Sequence, residues 1–490
     1  MVLKEQTHHE LVENIKQNLE NCEDVVYQSF RAHGKSCTLI YIRSIIDTSS
    51  LHEHIITPLV KEASALQFNL DDFINELNRG DLLSIPFNRS SSPHDIANLI
   101  VEGYVVLYID SLVNVYTFDL TKYEKRAVSE SQNELVVNGP QEAFIEDIFT
   151  NLSLLRHKIK HPALKTRRYQ IGRYSKTLIY MVYIDGLADE DVVAKIEKNI
   201  KAISIDGAFG ISTLSEQMKE GVKSPFPQFQ YTERPDSVAA SLLEGRVGMM
   251  MDGTPSALIV PVTLLSLLQS SEDYYHSFFS SSWIRLIRFM FAVISLLMPS
   301  MYVAITTFQP SIIPTDLLLT ITSTRENIPF SALTEALIME LTFEALREAG
   351  TRIPKPVGQT ISIIGAIVIG QAAVEAGIVS NPMVIVVSIT GIASYIIPHF
   401  ELGLTFRLLR FPLLLLGGTL GLIGLFAGTF VVLGHLASLK SFGTPYLEPV
   451  APLVFSEWRD TFLRAPSPLL NKRPTSYAAQ TSNNRRQKPK

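Results

Sequence analysis

Cysteine is almost absent from this chain, which has only Cys22 and Cys37 among its 490 residues. Two thiols cannot build a disulfide framework or a four-cysteine metal site, so we expect a reduced compartment and no structural metal. A net charge of either sign is also nearly lacking, because 43 basic side chains stand against 48 acidic ones and the formal charge is −5. This even balance offers no basic groove, so nucleic acid is not an expected partner.

Charged residues are scarce in one part of the chain. Between Val357 and Leu439 the only ones are Glu375, Glu401, Arg407 and Arg410, whereas the first 245 residues carry charges throughout. The two halves are therefore predicted to face different solvents, water for the first and lipid for the second. Because the N-terminus has no basic start followed by an apolar run, no cleaved signal is expected, and a cytoplasmic first half fits best.

The water-facing half contains two similar patterns, roughly 140 residues apart. The apolar runs Thr38–Asp47 and Thr177–Asp185 both begin Thr-Leu-Ile-Tyr, and Gly103–Asp110 (GYVVLYID) matches Gly245–Asp252 (GRVGMMMD). Such runs are typical of buried strands, and a helix-like stretch follows the first strand of each pair. We therefore predict an α/β region of two subdomains, residues 1–160 and 161–275, as candidate diverged copies; chance similarity between short strands is the alternative.

Catalytic motifs are lacking in this half. Gly34–Ser36 resembles the end of a phosphate-binding loop, but Ser29 stands where the first glycine belongs, and the strand follows the motif instead of preceding it. Neither a serine-nucleophile elbow nor a paired-cysteine redox motif occurs. The chain is therefore predicted not to be an enzyme, and no catalytic residue, metal ligand or cofactor is expected.

The second half contains four segments long enough to cross a bilayer, which takes about twenty apolar residues. They lie in a predicted α-helical membrane domain, residues 276–440, which precedes a C-terminal segment, 441–490, with a basic tail. The four segments are residues 284–308, 357–379, 382–398 and 411–433. At the start of the first, Arg285 and Arg288 are expected to anchor at the membrane interface, beside Trp283.

Residues 329–349 form an amphipathic helix in the prediction. Glu340, Glu344 and Glu348 recur every four residues, which places three carboxylates along one stripe. This helix could lie at the interface, pack inside an oligomer, or cross the membrane with its acidic stripe on water. The number of spans is accordingly four or five, and the distribution of basic residues does not decide between the two.

Small and polar residues are the informative ones within the spans. Gly417, Gly421, Gly424 and Gly428 fall on one face of a continuous helix, which favours close packing against another backbone. Gly370 and Gly377 belong to a similar face of the second span. Polar side chains in that segment are the pore or gating candidates: Gln359, Gln371 and Glu375. Gln371 and Glu375, four residues apart, mark either a buried network or an aqueous path.

Four strings carry a family resemblance: Glu233–Val247 (ERPDSVAASLLEGRV), Arg347–Gln359 (REAGTRIPKPVGQ), Gly370–Gly377 (GQAAVEAG) and Ser441–Pro449 (SFGTPYLEP). They resemble the A subunit of GerA-type spore germinant receptors. The resemblance implies a receptor in the spore inner membrane, with a cytoplasmic N-terminal domain. It also implies a permease-like B subunit and a lipoprotein C subunit as partners, and A subunits that oligomerise into a nutrient-gated ion channel.

Two other classes compete with that interpretation. A secondary transporter would show inverted repeats of spans and interrupted helices at the midplane, whereas the predicted spans are unlike one another. A membrane-anchored enzyme would need the catalytic constellation that the sequence lacks. The transporter is the stronger alternative.

Overall fold

A computed structural model of the chain describes residues 12–32, 35–61, 83, 85–90, 92–110, 112, 115–122, 134, 136–219, 224–352 and 370–477. These residues form two compact units. The first contains the described residues up to 219 together with 229–261 and 471–477, and the second contains 224–228, 262–352 and 370–470. The division after residue 261 falls earlier than the expected one at 275, because Val262, Leu265 and Leu268 pack in a core with helical residues such as Phe406 and Leu436.

The first sheet of unit one has five strands in the order β1-β2-β4-β5-β3, with every neighbouring pair antiparallel. Its buried centre is β4, whose apolar residues face both sides of the sheet. The strands are β1 (Val25–Ala32), β2 (Lys35–Ile42), β3 (Phe87–Ser90), β4 (Tyr104–Ile109) and β5 (Val115–Asp119). The helical parts of this subdomain are residues 12–18, Thr48–Leu51, a π turn at His52–Ile56, Thr57–Lys61 and α1 (Pro93–Glu102).

The second sheet repeats that topology, with the order β6-β7-β9-β10-β8. The prediction of two α/β subdomains is therefore confirmed, and the correspondence between them extends from two strands to all five. The strands are β6 (Leu164–Ile171), β7 (Thr177–Ile184), β8 (Gln230–Thr232), β9 (Val247–Met251) and β10 (Ala257–Val260). The helices are α2 (Ile148–Lys158), α3 (Glu190–Ala202), α4 (Ile211–Met218) and α5 (Pro235–Leu243).

A buried ion pair joins the two subdomains within unit one, whose boundary falls before Phe144 and not at the expected residue 160, because α2 packs in the core of the second sheet. Arg156, on α2, donates from Nε and Nη2 to the carboxylate of Asp24, both at 2.9 Å, and Thr166 of β6 donates to the same carboxylate at 2.6 Å. Both charged side chains are almost fully buried. Removing either charge would leave the other uncompensated, so this pair ties the two sheets together.

Unit two is built from helices. Two of those described, α6 (Phe278–Phe308) and α10 (Phe400–Ser438), are long and apolar enough to cross a membrane, and α9 (Asn381–Tyr395) is a shorter apolar helix. The others are α7 (Thr315–Arg325) and α8 (Ala332–Arg352), and residues 370–375 are also helical. α6 contains the predicted span 284–308, whereas residues 357–369 of the next predicted span lie outside the described part of the chain.

The helix α10 is a hairpin of two arms. At Gly421 the backbone has φ 66° and ψ −150°, which is not helical and which only glycine adopts readily. A Cβ at Gly428 would lie 2.8 Å from Leu413 Cδ2, although fifteen residues of straight helix would separate the two by about 22 Å. Thr405 and His435, thirty positions apart, bond to Pro225 O and to Ser224 Oγ respectively. The prediction of one continuous helix over 411–433 is therefore wrong, because the chain reverses at Gly421.

Candidate functional site

The helix at residues 370–375 carries the polar pair that the sequence singled out. Gln371 Nε2 donates to Glu375 Oε1 at 2.9 Å, and both side chains are exposed on the surface of the chain. The pair is thus not part of a network buried within its own chain. The third candidate, Gln359, lies outside the described residues.

This helix ends in a glycine motif. Gly377 has φ 64°, its N–H donates to Val374 O at 3.0 Å, and Ile378 N–H donates to Ala373 O at 2.9 Å. These are the two hydrogen bonds of a Schellman cap, in which glycine takes the left-handed position after the helix. Spacing alone predicted that Gly377 continues the small-residue face of this helix. Gly377 instead stops the helix. Gly370 does lie in the helix, where a Cβ would make an ordinary 3.8 Å contact with Val384.

The four glycines of α10 meet three different surroundings instead of forming one face. Gly417, on the first arm, lies against α6, where a Cβ would come within 2.9 Å of Ser300 O. Gly421 makes the turn beside Phe308, and Gly424 and Gly428 of the second arm lie against Leu416 of the first. The expected single face is wrong because it assumed an unbroken helix. Close packing at these glycines occurs within one chain.

The acidic stripe of α8 faces arginines on the first arm of α10. Glu340 and Arg410 are both almost fully buried, with Nη1 and Oε2 2.6 Å apart, and Glu344 accepts from Arg407 at 3.0 Å. Glu348, at the far end of the stripe, is exposed. None of the three locations predicted for this helix included its contact with Arg407 and Arg410, because each of them placed the acidic stripe against something other than this chain. The spacing of Arg407 and Arg410, three positions apart on an apolar segment, was the signal for it.

Arg410 also completes the hydrogen bonding of α6. Pro299 has no N–H, so Ser295 O lacks the donor that a helix normally supplies four residues later. Arg410 Nε donates to that carbonyl at 2.8 Å. One guanidinium therefore links α6, α8 and α10 in the interior of the bundle, where an unpaired polar group would be costly.

A second arginine cluster lies at the start of α6. Arg285 and Arg288 both donate to Asp273 at 2.9 Å, and Arg285 is fully buried. Burial alone would raise the pKa of Asp273, but the hydrogen bonds and charges of Arg288 and Arg285 hold it below its usual range. Arg285 also donates to Asp460 of the C-terminal segment. Carboxylates of the same chain therefore bind both arginines, which the sequence did not indicate; their place at the membrane interface stays a prediction.

Metal binding finds no support in the part of the chain that is described, where no group of three or more His, Cys, Asp and Glu side chains is placed to hold an ion. Both cysteines are free and buried. Burial raises the pKa of Cys22 and raises that of Cys37 to about 11, so both thiols are poor nucleophiles at neutral pH.

The sequence matches the family model described as Bacillus/Clostridium GerA spore germination protein over residues 13–476. It is 42% identical over 474 residues to the Bacillus subtilis (strain 168) protein named Uncharacterized membrane protein YfkQ, covering 95% of this chain and 91% of that one. It is 37% identical over 463 residues to Spore germination protein A1 of the same organism, covering 94% of both. Among solved structures, the N-terminal domain of the A subunit of the Bacillus megaterium spore germinant receptor GerK3 shares 26% identity at a TM-score of 0.40, covering 51% of this chain and 92% of that one.

Proposed function

Because the chain belongs to the GerA family of spore germination proteins, as a germinant receptor A subunit, we propose that it couples nutrient sensing to ion release as one subunit of an oligomeric, ligand-gated channel. The family is one of receptors rather than of enzymes. The observation that carries the proposal is the exposed pair Gln371 and Glu375.

The energetics of that pair support an oligomer. Glu335, Glu340 and Glu344 each pair with an arginine inside the bundle, whereas Glu375 accepts from the amide of Gln371 on the surface. An ionised carboxylate facing hydrocarbon costs several kcal/mol. The surface that carries Glu375 is therefore best covered by water or by another subunit. In a ring of subunits, a carboxylate beside a narrow aqueous path would favour cations.

The assembly that this function requires follows from the family. We place the chain in the spore inner membrane, with unit one in the cytoplasm and with a permease-like B subunit and a lipoprotein C subunit as partners. Further copies of the same chain would complete the path. The nutrient could then be recognised by a partner subunit and the ion conducted through this one.

The test is Glu375→Gln, which keeps the shape of the side chain and removes its charge. We expect it to change the rate or the pH dependence of cation release at normal receptor abundance, because a constriction would lose its negative charge. Glu375→Leu should have a larger effect, since Gln371 also loses its partner. Glu401→Gln is the matched control, an exposed carboxylate at the start of α10. Unchanged release and pH dependence in an abundant Glu375→Gln receptor would contradict the conduction role.

Secondary transport is tested separately. The break at Gly421 joins two arms beside the end of α6, so it does not form the unwound midplane segment that transporters use for binding. Conductance of the purified protein in planar bilayers, compared with substrate uptake into liposomes, distinguishes the two functions. Uptake without conductance would favour the transporter.

A further inference from the structure

Glu335, in the first turn of α8, has a fully satisfied buried carboxylate. Arg325 donates to its Oε1 from Nε at 3.2 Å, and Nη2 of the same guanidinium lies 3.0 Å from that oxygen as an ion pair. Ser380 donates to its Oε2 from the backbone N–H at 2.9 Å and from Oγ at 2.8 Å. The side chain is 0% exposed. Three hydrogen bonds and one ion pair thus converge on this carboxylate, and all its partners are donors, so a side chain at this position must accept hydrogen bonds.

These bonds join three elements at one end of the bundle. Arg325 is the last residue of α7, Glu335 lies in the first turn of α8, and Ser380 is the N-cap residue of α9. Ser380 also comes three residues after Gly377, the residue that stops the helix carrying Gln371 and Glu375. At that stop, a Cβ on Gly377 would lie 3.6 Å from Asn327 O, in the connection between α7 and α8.

We propose that Glu335 is a positioning residue that fixes the end of the Gln371–Glu375 helix against the connection between α7 and α8. The segment between the Schellman cap and Ser380 is too short to absorb a shift, because only Ile378 and Val379 separate Gly377 from Ser380. Val379 is itself buried. Releasing Ser380 from Glu335 therefore frees the end of the helix. The effect on ion release rests on the function proposed above, whereas the effect on helix position does not.

Glu335→Gln tests this role with the smallest change of shape. The amide of glutamine must point its NH2 group either at Arg325 or at Ser380, both of which are donors, so one side of the junction is lost. Ser380→Ala removes only the hydroxyl donor and should have a weaker effect of the same kind. Glu326→Gln is the matched control, because Glu326 is exposed and adjacent to Arg325 in sequence.

Helix position is measured by spin labels on the full-length protein in lipid nanodiscs, diluted with unlabelled protein so that only distances within one chain are recorded. One label replaces Ala372, and the other replaces Phe430, which is 77% exposed on the second arm of α10. We expect a shifted or broader 372–430 distance in Glu335→Gln, a smaller change in Ser380→Ala, and none in Glu326→Gln. A reference pair at Met301 and Phe430 should stay unchanged in every variant.

An unchanged 372–430 distance in Glu335→Gln would overturn the proposal. If Glu335→Gln does not accumulate, the 372–430 distance in Ser380→Ala decides in the same way. This variant disturbs the junction less, because it keeps the backbone N–H bond from residue 380 to Glu335. Ion release is recorded in parallel. A shifted helix with normal release at normal abundance would leave the positioning role intact and would instead contradict the conduction role of Gln371 and Glu375.

Discussion

At the scale of single residues, several buried charges of the helical unit pair inside one chain. The sequence identifies them by their scarcity and by the regular spacing of Glu340 and Glu344. It does not identify their partners, because Arg407 is 63 residues from Glu344 and Arg410 is 70 residues from Glu340. These arginines meet the stripe only when α8 lies along the first arm of α10. No sequence pattern indicated the pairing of Glu335, because its partners Arg325 and Ser380 have no periodic spacing relative to it.

Arg410→Met tests how much the pairing of buried charges stabilises the protein. The change leaves Glu340 as a buried carboxylate without its arginine and leaves Ser295 O without its donor, so we expect a loss of about 3–5 kcal/mol and a strong fall in membrane abundance. Combining it with Glu340→Leu should restore much of the abundance, because replacing both charges by apolar groups removes the uncompensated charge. Abundance and thermal stability in detergent are the measurements.

The control for this pair is Glu401→Leu in the Arg410→Met background. Glu401 is an exposed residue of the same apolar region, so its removal should rescue nothing. Equal rescue by Glu401→Leu and Glu340→Leu would show that the Arg410–Glu340 pair does not account for the loss.

At the scale of elements, the glycine spacing in α10 predicts that close packing occurs but not which segment packs against each glycine. This spacing predicts close approach of a backbone, and such approach is present at Gly417 and Gly424. It does not predict which backbone approaches, because a regular spacing assumes regular dihedral angles. A single residue, Gly421, breaks that assumption and turns one predicted span into two arms. Gly377 misled for the same reason, since a helix-stopping glycine and a packing glycine look alike in sequence.

A disulfide between the arms provides the test of the hairpin. Cysteines replacing Leu413 and Gly428 should cross-link within one chain upon mild oxidation, because the two positions face each other across the hairpin. In an unbroken helix they would be about 22 Å apart, far beyond the reach of a disulfide. The native Cys22 and Cys37 are buried and should not interfere.

The matched control pairs Leu413→Cys with Gly434→Cys. Gly434 lies further along the second arm, where a Cβ would meet no heavy atom within 4 Å, so this pair should stay reduced. Failure of the 413–428 pair to cross-link in the folded, full-length protein would contradict the hairpin.

At the scale of the whole molecule, the repeated α/β topology could be predicted from the sequence, whereas the return of the C-terminal segment to unit one could not. Two strand motifs sufficed to indicate two subdomains, because strands with buried faces keep a strong apolar signature. The C-terminal segment carries no such signature. Residues up to 470 belong to unit two, and the segment then rejoins unit one, where Arg473 donates to Leu243 O at 2.7 Å and Arg246 lies 4.1 Å from the ring of Tyr477.

This path predicts an even number of membrane crossings. Asp460 and Arg464 bond to Arg285 and to His276 O at the start of α6, so the chain returns after α10 to the end of the bundle where α6 begins. An odd number, such as the five spans that remained open from the sequence, would put the two ends on opposite sides of the membrane.

Labelling with a membrane-impermeant thiol reagent in cells that express the protein tests this. Single cysteines replace Glu53 in the first subdomain, Lys472 in the C-terminal segment, and Leu317 in α7, all of which are exposed. We expect Glu53→Cys and Lys472→Cys to behave alike, and Leu317→Cys to show the opposite accessibility, because α7 follows the far end of α6. Permeabilised cells should label at all three positions. Lys472→Cys behaving like Leu317→Cys instead would require an odd number of crossings, and it would separate Arg473 from Leu243 by the thickness of the bilayer.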